Sequence, residues 1–252
     1  MNYLKNKVAL ITGASSGIGE AVAKKLAEME VNLVLIARDE KKLKKLQSIL
    51  PTQSIAYALD VRKKEEVFKT LEEILKITQI DILINNAGLA LGLEPLDEGN
   101  PQEWEIMIDT NIKGVLYITK PVFAHMKQRN AGHIVNIGSV AGKSAYPGGN
   151  VYCATKAALH SLSESLNIDA YGTNIKISNI APGAVETEFS NVRFKGDREK
   201  AKKVYEGFVP LSAEDIADAI VCVLNTPPHV NIQYMDIMPT SQRNPYMLYK
   251  NQ

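Results

Sequence analysis

Tyr152 and Lys156 stand four residues apart, in Tyr152-Cys153-Ala154-Thr155-Lys156, and Ser139 lies thirteen residues before the tyrosine. On a helix, positions i and i+4 share one face, so an ammonium would sit about one turn from a phenol. A free tyrosine loses its proton near pH ~10, too high for a general base at neutrality. A neighbouring cation favours the phenolate and lowers that value. A nearby serine hydroxyl could hold a carbonyl or alcohol oxygen. The three side chains together make a candidate device for moving a proton on and off a substrate oxygen. The spacing is common on ordinary helices, so its meaning depends on the elements that position it.

Those elements come from one long chain. Its 252 residues are 45% hydrophobic and 23% charged, values that suit a folded chain with a substantial core. A formal net charge of +1 gives no basic footprint for nucleic acid or a membrane surface. Cys153 and Cys222 provide neither a disulfide framework nor metal spacing, and the four histidines form no zinc pattern, so no metal is expected. The apolar run Val8–Ile11 is too short for a secretory signal, and no window reaches the ~18 apolar residues of a membrane span. A reduced, cytoplasmic setting is the expectation.

Short apolar runs (8–11, 31–37, 54–59, 80–84, 133–137, 175–180) alternate with longer amphipathic stretches. That rhythm predicts an α/β fold, a parallel sheet with helices on both faces, in a single domain. Ser212-Ala213-Glu214-Asp215 resembles a capping box opening a helix. Pro227-Pro228 ends that helix and leads to a last strand near 231–237. Pro121, inside the helical stretch 104–128, is expected to kink or break it.

Thr12-Gly13-Ala14-Ser15-Ser16-Gly17-Ile18-Gly19 follows the first strand and opens the first helix. Glycines there let the backbone turn tightly against a pyrophosphate, which the helix N-terminus attracts. The second strand ends at Ala37-Arg38-Asp39. A fold that binds NAD usually places an acidic residue at this strand end; here Arg38 follows Ala37, and a guanidinium suits a 2′-phosphate, so NADP is expected. Ser15 could add a hydroxyl to that phosphate, while Asp39 would oppose it if turned inward.

Asp60-Val61, Asn85-Asn86-Ala87-Gly88, Asn111 and Pro182-Gly183 with Thr187 join these motifs in order along nearly the whole chain. The set resembles the short-chain dehydrogenase/reductase family. That resemblance implies a Rossmann-type, doubly wound parallel sheet of seven strands and hydride transfer to or from a nicotinamide. By the same resemblance Tyr152 is the acid/base, Lys156 lowers its pKa and binds the nicotinamide ribose, Ser139 positions the substrate oxygen, and Asn111 holds a water in a proton relay. Gly13, Ser15, Ser16, Gly17, Ile18, Gly19, Arg38, Asp60, Val61, Asn86, Ala87, Gly88, Pro182, Gly183, Val185 and Thr187 are the implied cofactor contacts, with Tyr152 and Lys156.

Asn85–Gly92, Met107–Asn111, Tyr146–Tyr152, Thr187–Asp197 and Pro227–Ile232 resemble more closely the NADP-dependent 3-hydroxy acid dehydrogenases, a generally tetrameric group. This implies a small 3-hydroxy acid (serine, allo-threonine or 3-hydroxypropionate type) and its 3-oxo acid or semialdehyde as substrates. Two departures stand beside the site: Ala181 where glutamate is expected, and Lys143-Ser144-Ala145 in place of a more aromatic segment. Residues 184–210 are expected to fold over the site as a lid, with Arg193 meeting the substrate carboxylate. A reductase of another carbonyl, such as a 3-oxoacyl thioester or a steroid, and a non-catalytic NADP-binding sensor are the alternatives.

Overall fold

The computed structural model describes residues 2–251. Its centre is a seven-stranded parallel sheet in the order β3-β2-β1-β4-β5-β6-β7, built from β1 (Val8–Thr12), β2 (Asn32–Ala37), β3 (Ser54–Ala58), β4 (Ile82–Asn85), β5 (Gly132–Ile137), β6 (Ile175–Pro182) and β7 (Tyr234–Ile237). The central strands lack polar–apolar alternation because both of their faces are covered. In β1, Ala9 and Ile11 enter one core and Leu10 the other. In β2, Leu33 and Leu35 divide from Val34 and Ile36 in the same way. Helices α1 (Gly17–Glu28), α2 (Glu40–Gln47) and α9 (Ala213–Leu224) cover the first face. Helices α3 (Lys64–Ile77), α5 (Val115–Arg129) and α6 (Asn150–Asp169) cover the second.

Chain order reverses between β1 and β4, which places a crevice at the C-terminal ends of the strands. Thr12, ending β1, stitches its floor: its hydroxyl accepts from the Asn86 and Ala87 amides at 3.1 and 3.0 Å. Asn86 returns the contact by donating to the Thr12 carbonyl at 2.9 Å.

Several boundaries differ from the sequence reading. The long helical stretch starts earlier, as α4 (Pro101–Ile108), because the Asn100 side chain caps it and Pro101 occupies the first turn. The expected break at Pro121 does not occur. α5 runs through it, since Ile118, Thr119, Val122 and Met126 stay buried beneath the sheet and one missing backbone bond is outweighed by that packing. The irregular turn lies upstream, where Asp109–Gly114 is π-helical. The capping box forms, with Ser212 accepting from the Asp215 amide and Asp215 from the Ser212 amide. The last strand is shorter than expected: before it, the Ile232 carbonyl accepts from the Ser178 hydroxyl at 2.6 Å and the Asn231 side chain donates to Asn167. Residues 184–210 carry two short helices, α7 (Phe189–Arg193) and α8 (Arg198–Lys203), with Lys195 and Gly196 at positive φ between them. Among the described residues, no helix is long and apolar enough to cross a membrane.

Candidate active site

A cavity of about 920 Å³ runs along the C-terminal strand ends, from Arg38 and Asp60 at one end to Tyr152 and Arg193 at the other. Of the residues named from sequence, Gly13, Ser15, Ser16, Gly17, Ile18, Arg38, Asp60, Val61, Asn86, Ala87, Gly88, Ser139, Tyr152, Lys156, Pro182, Gly183, Val185, Thr187 and Arg193 all line it. Gly19 and Asn111 stand just behind its wall.

The glycine loop has the geometry a pyrophosphate cradle requires. Gly13 and Gly17 take positive φ of 66° and 54°, values an L-residue seldom adopts. A Cβ on Gly13 would come 2.9 Å from the Asn86 side-chain nitrogen Nδ2, and one on Gly19 would overlap the Gly13 carbonyl oxygen. Thr187 closes the loop from the opposite side, 3.4 Å from where a Gly17 Cβ would lie. The N-terminus of α1 therefore faces open space with bare backbone around it, which fits a dinucleotide phosphate.

At the far end, the Asp39 carboxylate accepts from the Lys42 amide at 3.0 Å as the cap of α2. Its charge is thus engaged by the helix N-terminus, which relieves the opposition to a 2′-phosphate that the sequence suggested. Arg62, which the sequence reading passed over, also lines this end and holds Asp60 through bonds from Nε and Nη2. Its only signal was a basic residue two places after a strand-end aspartate.

The candidate proton-transfer trio converges. Ser139 follows β5, and its hydroxyl accepts from the Ala141 amide at 3.1 Å and lies beside the Tyr152 phenol, whose pKa it pulls down. Lys156 shares a face of α6 with Tyr152; its Nζ lies 5.9 Å from the phenol ring centroid and donates to the Ile137 carbonyl at 2.8 Å. The expected lowering of the phenol's pKa is not found among these groups. Burial pushes Tyr152 upward, the Tyr146 phenol adds to the rise, and the Ser139 bond and Arg193 charge recover only part. The same burial brings the Lys156 ammonium down to about 8. The reason is positional: the ammonium is committed to a carbonyl, and its charge does not offset the loss of water around the phenol.

Asn111 sits in the π-helical turn with its side chain clamped to Leu89, accepting from the amide at 2.9 Å and donating to the carbonyl at 2.8 Å. A second donation goes to the Thr155 hydroxyl at 3.0 Å. Both its N–H groups are therefore used, and the loop Gly88-Leu89 is fixed against α6. A Cβ on Gly88 would lie 3.2 Å from Asn111 Oδ1 and 3.5 Å from Lys156 Nζ, so these two groups meet over Gly88.

Arg193, at the end of α7, enters the cavity beside the trio. Its Nε donates to the Gly92 carbonyl at 2.9 Å and its Nη1 to the Tyr146 hydroxyl at 2.8 Å. The guanidinium stands 5.8 Å from the centroid of Tyr152, while Phe189 meets that ring edge-on at 5.6 Å. Tyr146 was visible in sequence only as part of a distinctive segment. Gln242, which accepts from the Ala184 amide at 2.9 Å and closes over Gly183, carried no local signal. Of the two departures, Ala181 is buried in β6, and Lys143 turns to Asp236 at 2.7 Å.

Comparison with known proteins gives consistent results. The family model for short chain dehydrogenases matches residues 7–198. An NADP-dependent 3-hydroxy acid dehydrogenase, YdfG, of Salmonella typhi is 44% identical over 93% of this chain and 96% of its own. Sulfoacetaldehyde reductase 2 of Chromohalobacter salexigens is 39% identical over 93% and 95% of the two chains. The closed form of a serine dehydrogenase complexed with NADP+ superposes with a TM-score of 0.92 at 42% identity, covering 97% of this chain and all of the other.

Proposed function

The chain belongs to the short-chain dehydrogenase family, and from that premise we propose that it interconverts a small 3-hydroxy acid and its 3-oxo acid or semialdehyde, with Tyr152 as the acid/base. It is an oxidoreductase of the CH–OH group, and NADP is its cofactor. The observation that carries the substrate reading is Arg193. A guanidinium held by Gly92 and Tyr146 stands against the Tyr152 ring, where it suits a substrate whose carboxylate lies a short reach from its reacting oxygen.

The glycine loop 13–19 would hold the pyrophosphate, Arg38 with Ser15 the 2′-phosphate, Asp60 and Val61 the adenine, and Asn86–Gly88, Pro182, Gly183, Val185 and Thr187 the nicotinamide half. The nicotinamide supplies the hydride chemistry at its C4, and its oxidised ring adds positive charge to the site. The protein's residues handle the proton. Ser139 holds the substrate oxygen beside the phenol, and Tyr152 donates to the oxygen in reduction or accepts from it in oxidation. Lys156 would bind the nicotinamide ribose, and Asn111 Oδ1 with Lys156 Nζ, both beside Gly88, would hold a water that carries the proton outward.

Residues 184–210 serve in this reading as a lid. Its latch is reciprocal: the Gly92 amide donates to the Arg193 carbonyl at 3.2 Å while Arg193 Nε returns to Gly92. Val192 and Phe194 line the cavity, leaving a chamber suited to a short acid. The helical stretch 104–128, spanning α4 and α5, and α6 are the expected shared surface of a homotetramer, and a cytoplasmic location accords with the substrate class.

A panel of malonic semialdehyde, sulfoacetaldehyde, serine, allo-threonine, 3-hydroxypropionate, an acetoacetyl thioester and a 3-oxosteroid, followed by reduced-nicotinamide absorbance, tests the reading. Turnover of the small anions, with KM raised in Arg193→Ala, is expected. Turnover confined to the thioester or steroid would replace it with the other carbonyl reading, and none at all would favour a sensor.

A further inference from the structure

The adenosine end of the cavity holds an arrangement that a 2′-phosphate alone does not require. Arg38, Lys42 and Arg62 line it together with the carboxylates of Asp39 and Asp60. Two carboxylates beside a phosphate site should repel the phosphate and compete for its cations. Each, however, is already engaged. Asp39 caps α2 through the Lys42 amide. Asp60 is gripped from three directions: Arg62 Nε lies 3.0 Å from both carboxylate oxygens, Nη2 lies 2.6 Å from Oδ2, and the Arg62 amide donates to Oδ1 at 3.0 Å. The Arg62 side chain is 29% exposed and that of Asp60 is 18% exposed, so the pair is only partly screened by water. Two cations are within electrical reach of one carboxylate. Burial opposes ionisation of Asp60, but Arg62, with a smaller contribution from Arg38, holds its pKa below the ordinary range.

We propose that Arg62 is a specificity-determining residue: by clamping Asp60 it keeps that carboxylate from drawing Arg38 away from the 2′-phosphate, and so sets the preference for NADP over NAD. Arg62 acts on the cofactor through Asp60 and is a positioning residue. Geometry supports the division of labour. The turn Asp60-Val61-Arg62 brings both groups of the pair back on each other within two residues, so the clamp is local. Arg38 sits on the next strand end, across the β2–β3 register that pairs Ala37 with Ala58. Without Arg62, the other cation whose charge bears on Asp60 is Arg38, the guanidinium expected to meet the phosphate. The inference rests on the placement of the 2′-phosphate at Arg38.

Calorimetric titration with adenosine 2′,5′-bisphosphate and with adenosine 5′-monophosphate reads this end of the site directly, with no turnover required. Arg62→Met is expected to weaken the bisphosphate about tenfold or more while changing the monophosphate by at most about threefold. The double variant Asp60→Asn/Arg62→Met is expected to recover most of the loss, because the carboxylate that competes for Arg38 is gone. NADPH and NADH dissociation constants, from quenching of reduced-nicotinamide fluorescence, should move in parallel. Equal losses for both adenosine probes, no loss for either, or failure of the double variant to recover would overturn the proposal. Arg38→Ala separates it from its premise: if that variant binds the bisphosphate as tightly as the parent protein, the phosphate lies elsewhere and the premise fails first.

Discussion

Arg193 Nη1 donates to the Tyr146 hydroxyl at 2.8 Å, joining the segment after β6 to the loop before α6 directly above Tyr152. The guanidinium also stacks 5.4 Å from the Tyr146 ring, so Tyr146 orients it by both its hydroxyl and its face. Tyr146→Phe keeps the ring and removes the bond. KM for a carboxylate substrate is expected to rise about fivefold, the worth of roughly 1 kcal/mol, with kcat changing less. Steady-state kinetics against malonic semialdehyde checks this, and an unchanged KM would separate Tyr146 from substrate recognition.

Tyr152→Phe removes the proton and leaves the edge-on contact with Phe189 intact. Turnover should fall ~10²–10⁴-fold, the usual worth of a general acid–base group, while the NADPH dissociation constant stays near the parent value. A variant that keeps near-normal turnover would remove Tyr152 from the chemistry.

Burial of Lys156 makes a prediction about stability and pH. Its folded pKa of about 8 lies below the 10.5 of the unfolded chain. Between those values the unfolded chain binds more protons, so the lysine's penalty on folding is full below pH 8 and fades as pH rises toward 10.5. Several buried tyrosines and Cys153 have raised pKa values and work in the opposite sense at the top of that window. The difference between parent and Lys156→Met isolates the lysine. Urea midpoints from pH 7.5 to 9.5 should climb more steeply for the parent than for the variant, and parallel curves would show that the ammonium is less buried than the structure has it.

Lys195 Nζ pairs with Glu103 of α4, a carboxylate whose side chain is 12% exposed. Lys195→Glu breaks the pair and sets like charges opposed. Amide hydrogen exchange across residues 184–210 should quicken, and KM for the substrate should rise by a few-fold. The exchanged pair, Glu103→Lys/Lys195→Glu, should restore part of both. Unaltered exchange in Lys195→Glu would mean that Gly92 and Arg193 hold the segment without it.

Much of this architecture was legible because its signals are local. Thr12–Gly19 combines the end of a strand, a glycine turn and the start of a helix in eight consecutive positions, and Tyr152 and Lys156 lie one turn apart on a single helix. Contacts made across the chain left weaker traces. Arg62 became meaningful only through its grip on Asp60, Tyr146 through its bond to Arg193, and Gln242 through a contact with Ala184 that spans 58 positions. Charge was the property read least well. Spacing put Lys156 beside Tyr152, but the pKa of each is moved chiefly by burial, which no linear pattern records. Pro121 illustrates a related limit: propensity argued for a break, and packing of α5 against the sheet overrode it.

Gly19 offers the sharpest test of the cradle. It lies inside α1, where alanine is ordinarily favoured over glycine by about 1 kcal/mol. A Cβ there would nevertheless overlap the Gly13 carbonyl and crowd the Asn86 amide, neither of which can swing aside. Asn86 is itself held by the Thr12 and Gly13 carbonyls at 2.9 and 3.2 Å, so the strain reaches the floor of the crevice. Gly19→Ala should therefore lower the thermal midpoint despite its better helix propensity, and weaken NADPH by at least about tenfold. Ser212→Ala, which removes the remote capping box of α9, serves as the comparison: it should cost about 1 kcal/mol of stability and leave NADPH affinity unchanged. If Gly19→Ala behaves like Ser212→Ala, losing stability alone, the loop is a structural turn and the pyrophosphate is held elsewhere.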